Sequence, residues 1–204
     1  MNQQPVEDEA GADVVFPIEG RFLPRDHAQP LYEALCRQWP QLVQEEQVGI
    51  HGIKLVSGGS EPAMLSRRAK LLLRAPRALG AQLLACPGVS LQIDGHTLQL
   101  GQPHIRDLQP HTTLYAYHVA AASADEAAFM ADVARDLAAL GVGGERVCGK
   151  RQQMRLGSGA VTTFSLMLHA LAPDQSLRLQ YHGIGPHRLF GCGLFIPHKS
   201  AAAV

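Results

Sequence analysis

A glycine-rich segment near the C-terminal end of the chain has the residue types of a phosphate-binding loop. Gly183, Gly185, Gly191 and Gly193 form two Gly-x-Gly pairs separated by five residues, and Arg188 lies between them. Glycine permits a positive φ and a close approach of ligand to backbone, and exposed backbone N–H groups in such a loop bind anions. A plain tight turn is the alternative, although two glycines would suffice for it. Four glycines with a cation between them favour a loop that follows phosphates.

Two common nucleotide-binding motifs do not fit this segment. A dinucleotide-binding fingerprint would need glycine at position 188, which is Arg188. A Walker loop would need Gly-Lys followed by Ser or Thr, and the segment has no such sequence.

The basic residues are concentrated in two parts of the chain. Thirteen of the 18 Lys and Arg residues lie in residues 54–77 and 146–204, together with only two acids, Glu61 and Asp174. The net charge of zero excludes a uniformly basic coat but not a local basic face. Two such segments side by side would form the positive surface of a polyanion-binding protein. Two solvated strands with outward arginines are the alternative.

Composition excludes several classes of protein. The 204 residues are 46% apolar, which suits one large domain or two small ones. The apolar runs are too short to span a membrane, and the polar, acidic N-terminus does not read as a signal peptide. The four cysteines lie far apart without a Cys-x-x-Cys pair, so we expect no zinc site and reduced thiols in the cytoplasm. No cluster of Asp, Glu, His or Cys has the spacing of metal ligands, and no cofactor is predicted.

The periodicity predicts an α+β fold in which one unit occurs twice. Strand, helix, two strands, helix and strand follow one another in each half, which is the β-α-β-β-α-β order of a ferredoxin-like domain. We therefore predict a lead-in without fixed structure at 1–12 and tandem duplicated ferredoxin-like domains at 13–109 and 110–204. The predicted strands are 14–18, 48–56, 64–74, 89–93, 97–100, 113–120, 146–154, 162–171 and 191–196. The predicted helices are 27–38, 76–84, one that is capped by Ser123 and closed by Gly141, and 174–181.

Several stretches of the chain resemble one known family. The glycine-rich loop before the last strand of a duplicated ferredoxin-like fold is similar to that of the CRISPR repeat-RNA processing endoribonucleases, in the repeat-associated mysterious protein superfamily. Phe16-Pro17-Ile18-Glu19-Gly20, Leu23-Pro24-Arg25-Asp26-His27, Cys148-Gly149-Lys150-Arg151, residues 165–169 and residues 176–180 resemble the small branch associated with the Myxococcus-type subtype. The likeness runs from about residue 13 to residue 204.

This resemblance implies metal-independent cleavage of a precursor CRISPR transcript within its repeats. The ribose 2′-OH would attack the adjacent phosphate and leave a 2′,3′-cyclic phosphate and a 5′-OH. The implied partner is the repeat RNA stem-loop. Subunits of a CRISPR effector complex are further candidate partners, and the protein would be a monomer or homodimer. The reaction needs a base, an acid and cations that stabilise the phosphorane.

Two histidines are candidates for the catalytic groups that the resemblance implies. His27 lies at the start of the first predicted helix, where several relatives carry their catalytic histidine, and a helix N-terminus favours neutral imidazole. His51, on a strand edge close to Lys54, is the alternative base or the acid partner. Capping is the structural alternative for His27, and cross-strand packing is the alternative for His51.

The basic segments and the glycine-rich loop are the predicted RNA-binding elements. Arg67 and Arg68 would point to opposite faces of the predicted strand 64–74, so at most one of them would join a given surface. Aromatic residues make up only 5% of the chain, which argues against recognition by stacked bases. The predicted RNA-binding residues are Arg67, Arg68, Arg74, Lys150, Arg151, Arg155, Gly183, Gly185, Arg188, Gly191, Gly193 and Lys199.

Two other functions remain open from the sequence. The first is a non-catalytic RNA-binding subunit of the same superfamily. The second is a small-molecule or regulatory duplicated ferredoxin-like module whose glycine-rich segment is a plain turn.

Overall fold

The computed structural model describes residues 11–56, 58, 61–86, 88–157 and 159–199. The chain divides into two compact units, residues 1–107 and residues 108–204. Most of the predicted lead-in, residues 1–10, lies outside the described residues. Gly11 and Ala12 already belong to the first strand.

The strands of the first unit are β1 (Gly11–Glu19), β2 (Phe22–Leu23), β3 (Gly49–Ile50), β4 (Ala63–Met64), β5 (Lys70–Pro76), β6 (Ser90–Ile93), β7 (His96–Leu100) and β8 (His104–Asp107), and its helices are α1 (Ala28–Gln38) and α2 (Arg77–Leu84). The unit is built on one antiparallel sheet with the order β3-β5-β1-β7-β6, and β8 also pairs with β1. This order is the 2-3-1-4 arrangement of a ferredoxin-like sheet with β6 added at one edge. β2 and β4 form a separate two-stranded pair.

Apolar side chains on one face of the first sheet pack against the helices. α1 buries Leu31, Ala34 and Leu35 on one side, as their helical spacing requires. Phe16 on β1 is fully buried and stacks on Trp39, just beyond α1, with 5.4 Å between ring centroids.

The strands of the second unit are β9 (Leu114–Ala121), β10 (Glu145–Leu156), β11 (Gly159–His169) and β12 (Ile196–Pro197), and its helices are α3 (Glu126–Ala139) and α4 (Pro173–His182). The four strands form an antiparallel sheet with the order β10-β11-β9-β12, which is again 2-3-1-4. Asp125 caps α3 by accepting a hydrogen bond of 2.7 Å from the Ala128 N–H. Phe129 on α3 stacks on Phe164 in the core, with 4.6 Å between ring centroids.

The structure confirms the α+β class and the duplicated ferredoxin-like fold. It corrects three predicted strands. The chain turns at Arg67 and Arg68, so the predicted strand 64–74 is divided into β4 and β5, and both arginines are exposed in the turn. The predicted strand 48–56 is reduced to Gly49–Ile50, and the predicted last strand 191–196 to Ile196–Pro197.

Within the described residues, no helix combines the length and the apolar character that crossing a membrane requires.

Candidate functional site

The glycine-rich loop of the second unit joins α4 to β12, and its two limbs touch through their backbones. Gly183 has φ +62° and Gly193 has φ +67°. A Cβ on Gly193 would overlap the carbonyl oxygen of Ile184, and a Cβ on Gly183 would overlap the carbonyl oxygen of Gly193. Glycine is therefore required at both positions, because its backbone reaches positive φ and leaves room for the opposite limb.

Arg188 fastens this loop to the end of α4. Its guanidinium donates to the carbonyl oxygen of Tyr181 at 2.8 Å and to the carbonyl oxygen of His182. These are last-turn carbonyls, which a helix leaves without intrahelical partners. The structure therefore gives Arg188 a role in fastening the loop that the sequence did not predict, and its contact with RNA stays a prediction.

The tip of the loop faces solvent while its base is buried. Gly185, Pro186 and His187 are exposed, whereas the Gly193 N–H donates to the carbonyl oxygen of His118 on β9 at 2.7 Å. Cys192 is fully buried at the base, and burial raises the pKa of its thiol to about 12. The exposed backbone at the tip is the part of the loop that can meet an anion.

Replacing Gly193 with alanine is expected to destabilise the protein more than replacing Gly185. Both glycines have positive φ, which costs an L-residue about 1–2 kcal/mol. Only a Cβ on Gly193 also meets a carbonyl oxygen, since the nearest atom to a Cβ on Gly185 is 3.9 Å away. Urea unfolding of the two variants measures the difference. Equal losses of stability would contradict the close packing of the two limbs.

Three predicted RNA-binding residues lie along β10, an edge strand of the second sheet. Lys150, Arg151 and Arg155 are exposed there. A register shift between Cys148 and Arg151 bends the strand, and the Lys150 N–H donates to Ser165 Oγ at 2.9 Å beside it. Charged side chains also protect an edge strand from pairing with other chains, which is the structural alternative for this row. Lys199, after β12, is exposed as well.

Arg74 corrects the sequence prediction, because it cannot contact RNA from its position in the structure. Its exposed fraction is 1%. Its Nε donates to Asp13 Oδ1 at 2.9 Å, and its Nη2 donates to Asp13 Oδ2 at 3.4 Å. The basic segment 54–77 therefore supplies Arg67 and Arg68 to the surface but keeps Arg74 inside.

Asp13 is shared by two arginines from the neighbouring strands of its sheet. Arg106 on β8, whose side chain is half-exposed, donates to Asp13 Oδ2 at 2.7 Å. Burial alone would raise the pKa of Asp13. The charge of Arg74, the charge of His51 and hydrogen bonds from both arginines outweigh burial and lower this pKa. Asp13 is thus a buried carboxylate held ionised between two strands.

His27 is held by backbone groups on both sides of its ring. The exposed fraction of the residue is 7%. Its Nε2 accepts a hydrogen bond of 3.0 Å from the Ile53 N–H, so Nδ1 carries the proton and faces the carbonyl oxygens of Pro24 at 3.0 Å and Arg25 at 3.2 Å. Burial lowers the pKa of His27. The ring is a neutral imidazole with a fixed tautomer and its basic nitrogen turned toward residues 51–55.

His51 lies at the end of β3, two residues before Ile53. Its backbone N–H donates to the carbonyl oxygen of Leu72 at 3.0 Å, and its charge helps to lower the pKa of Asp13. The Ile53 hydrogen bond therefore brings the two predicted catalytic histidines into one local region of the first unit.

Sequence reasoning missed Asp13, Arg106 and the aromatic side chains of β9. The charge pattern of one segment cannot identify Asp13 as a partner of Arg74, because the two residues are 61 positions apart. For the aromatic side chains a signal did exist: Tyr115 and Tyr117 alternate along a predicted strand and so share one face.

The fold of this chain is shared with solved structures. A structure of a CRISPR-associated protein Cas6 has a TM-score of 0.65 and 9% sequence identity, and the match covers 93% of this chain and 99% of that one. A structure of Thermus thermophilus Cse3, bound to an RNA that represents a pre-cleavage complex, has a TM-score of 0.53 and 16% identity over 92% of this chain and 98% of that one. These likenesses establish the fold.

The sequence identifies the family within that fold. Residues 12–200 match the Cas6 family, described as Cas6 Crispr. The chain is also 39% identical over 193 residues to the CRISPR-associated endonuclease Cas6 of Myxococcus xanthus (strain DK1622), which covers 94% of this chain and 84% of that protein. The chain belongs to the Cas6 family of CRISPR proteins.

Proposed function

We propose that this protein is an endoribonuclease that cuts precursor CRISPR RNA within its repeats, without a metal ion, to give guide RNAs. Its similarity to the Myxococcus xanthus endonuclease supports the substrate and the reaction class. The observation that carries the mechanism is His27, a buried neutral imidazole whose Nδ1–H is fixed by backbone carbonyls and whose basic Nε2 accepts a hydrogen bond from the Ile53 N–H.

The proposed reaction uses a nucleophile that the substrate already contains. The ribose 2′-oxygen attacks the adjacent phosphorus, the bond from phosphorus to the 5′-oxygen breaks, and the products end in a 2′,3′-cyclic phosphate and a 5′-OH. A metal-activated water is not needed, because no water enters this step. The protein must remove one proton, supply another and hold the attacking and leaving oxygens in line.

In this proposal His27 is the general base and His51 the general acid. The 2′-hydroxyl takes the place of the Ile53 N–H at His27 Nε2 and gives its proton to that nitrogen. RNA binding must then draw residues 51–55 away from the ring, which also moves His51 relative to His27. Catalytic hydrogen bonds are often long or poorly aligned in a free enzyme and shorten only when substrate binds.

The exposed basic residues and the loop tip would grip the RNA through its phosphates. Lys150, Arg151 and Arg155 are exposed on β10, and the exposed backbone at Gly185 and His187 adds N–H donors. Stem-loop RNA is recognised largely through its backbone and shape, which suits cations better than base-reading side chains. The exposed Arg67, Arg68 and Lys199 are further candidates for phosphate contacts.

Incubation with the repeat RNA of the same host in EDTA tests the proposed function. We expect a single cut per repeat, with a cyclic phosphate on the upstream product and a 5′-OH on the downstream product. A requirement for added Mg²⁺ would contradict the mechanism. Saturable binding of intact RNA without any cut would support the alternative of a non-catalytic RNA-binding subunit.

A further inference from the structure

The sheet of the second unit has one face covered by helices and another that carries aromatic side chains. Leu114 and Ala116 of β9 are fully buried in the core, together with Phe129 and Val133 of α3. Tyr115 and Tyr117 alternate with them and therefore project from the opposite face. β12 adds His198 to this face, because Ile196 pairs with Tyr115 and the His198 N–H donates to the carbonyl oxygen of Thr113 at 3.1 Å.

These three rings form a small cluster, here called the β9 aromatic cluster (Tyr115, Tyr117 and His198). The centroids of Tyr115 and Tyr117 are 4.9 Å apart with the rings perpendicular, and those of Tyr115 and His198 are 5.5 Å apart. Tyr117 is 53% exposed. An edge-to-face contact covers at most one face of either ring. The exposed Tyr117 therefore keeps at least one ring face for a flat partner.

The cluster adjoins the loop that we expect to hold phosphate. Gly193, at the base of the glycine-rich loop, donates its N–H to the carbonyl oxygen of His118, the residue that follows Tyr117. The exposed Lys199 follows His198 on the other side of the cluster. A phosphate-binding loop and a lysine beside an aromatic surface are complementary to a nucleotide, which has an anionic backbone and a flat base.

We propose that the β9 aromatic cluster binds an unpaired base of the RNA strand that adjoins the repeat stem, with the base stacked on Tyr117. Aromatic side chains on the helix-free face of a four-stranded sheet hold unstacked bases of single-stranded RNA in other RNA-binding domains. Tyr117 is the exposed part of that face here, because Met167, which pairs with Tyr115, is fully buried. This site rests on the proposed function for its RNA but not on the chemistry of cleavage. It would let the protein distinguish a repeat inside a longer transcript from an isolated hairpin.

The test compares two uncleavable repeat RNAs, each with 2′-deoxyribose at the cut position. One is the stem-loop alone, and the other carries the natural single-stranded flanks. Tyr117→Ala is expected to weaken binding of the flanked RNA by roughly 5- to 100-fold, the effect of losing one stacked base, and to leave the stem-loop unchanged. Tyr117→Phe keeps the ring and should bind like the wild type. Tyr117→Leu keeps apolar area but no aromatic ring, so it should resemble alanine.

Substitution of the flanking bases one at a time by abasic sites then locates the base. At one position the abasic RNA should bind the wild type and Tyr117→Ala equally. The proposal is overturned if Tyr117→Ala binds the flanked RNA normally, if it weakens both RNAs equally, or if Tyr117→Leu behaves like the wild type. Normal binding of RNA by Tyr117→Ala combined with capture of a protein partner on this face would also overturn it.

The outcomes for this site and for the proposed function are separable. If the wild-type protein fails to cut natural repeat RNA but still binds the flanked RNA through Tyr117, the endonuclease proposal fails and the stacking site stands. If the wild type cuts natural RNA and Tyr117 has no effect on flanked RNA, only the stacking site fails.

Discussion

Replacing His27 with glutamine is expected to slow single-turnover cleavage of repeat RNA by roughly 10²- to 10⁴-fold, the usual loss when a general base is removed. A glutamine oxygen can still accept the hydrogen bond that His27 Nε2 receives from the Ile53 N–H. It cannot take a proton near neutral pH. Glutamine therefore separates the catalytic role of the ring from its role in holding residues 51–55. Single-turnover cleavage and thermal unfolding of the same preparation measure both roles.

Three further variants make this result interpretable. His27→Ala removes both the base and the Ile53 hydrogen bond, so it should lose stability as well as activity. His51→Ala tests the proposed acid, and His111→Gln, an exposed histidine of the second unit, serves as the matched control. Cleavage at a normal rate by His27→Gln would mean that His27 is a structural histidine only. Loss of cleavage in His51→Ala alone would assign the base to His51.

The pKa of His27 also predicts the pH dependence of cleavage. Burial lowers this pKa from its ordinary value of 6.5. The neutral, basic form of His27 then persists to lower pH than in an exposed histidine. On the acid side of the pH profile, the midpoint of the decrease in cleavage rate should therefore lie below pH 6.5. The residual activity of His27→Gln should not show this decrease.

Replacing Asp13 with asparagine is expected to lower the free energy of unfolding by about 3–5 kcal/mol, as for a buried ion pair that loses one partner. The guanidinium of Arg74, which is 1% exposed, would remain buried without its counter-charge. Urea unfolding measures the loss. The exposed pair of Arg77 and Asp107 supplies the control, because Asp107→Asn should cost less than about 1 kcal/mol. Similar, small losses in both variants would contradict the account of the buried pair.

The sign of the pH effect on stability follows from the lowered pKa of Asp13. A carboxyl whose pKa is lower in the folded than in the unfolded chain stabilises the fold above the unfolded value, near 3.8. That stabilisation is lost as the pH falls from 3.8 toward the lower folded value. The wild type should therefore lose more stability over this acid range than Asp13→Asn does.

The order of the elements was sufficient to predict the duplicated fold, because the apolar alternation of strands and the apolar spacing of helices can be read from a single sequence. Boundaries failed where a turn interrupts a longer stretch of strand-like sequence. Ser66, Arg67 and Arg68 are three consecutive polar residues inside the strand predicted at 64–74, and the backbone turns there. Whether Arg74 lies at the surface or in the core depends on Asp13, its cross-strand partner in the fold.

The glycine-rich loop shows the same division between local and long-range information. The spacing of Gly183, Gly185, Gly191 and Gly193 predicts a loop with unusual backbone geometry, which the structure confirms. The use of Arg188 was not predictable, because the carbonyls that it holds become available only once the loop has folded back on α4.

The most direct test of the proposed endonuclease is a repeat RNA with one 2′-deoxyribose immediately upstream of the cut position. In EDTA, the protein should cut the all-ribose RNA and leave the deoxy RNA intact, while it binds both with nearly equal affinity. The 2′-hydroxyl is the nucleophile of the proposed reaction but only one of many contacts with the RNA. Cleavage of the deoxy RNA at a normal rate would contradict internal attack and with it the mechanism.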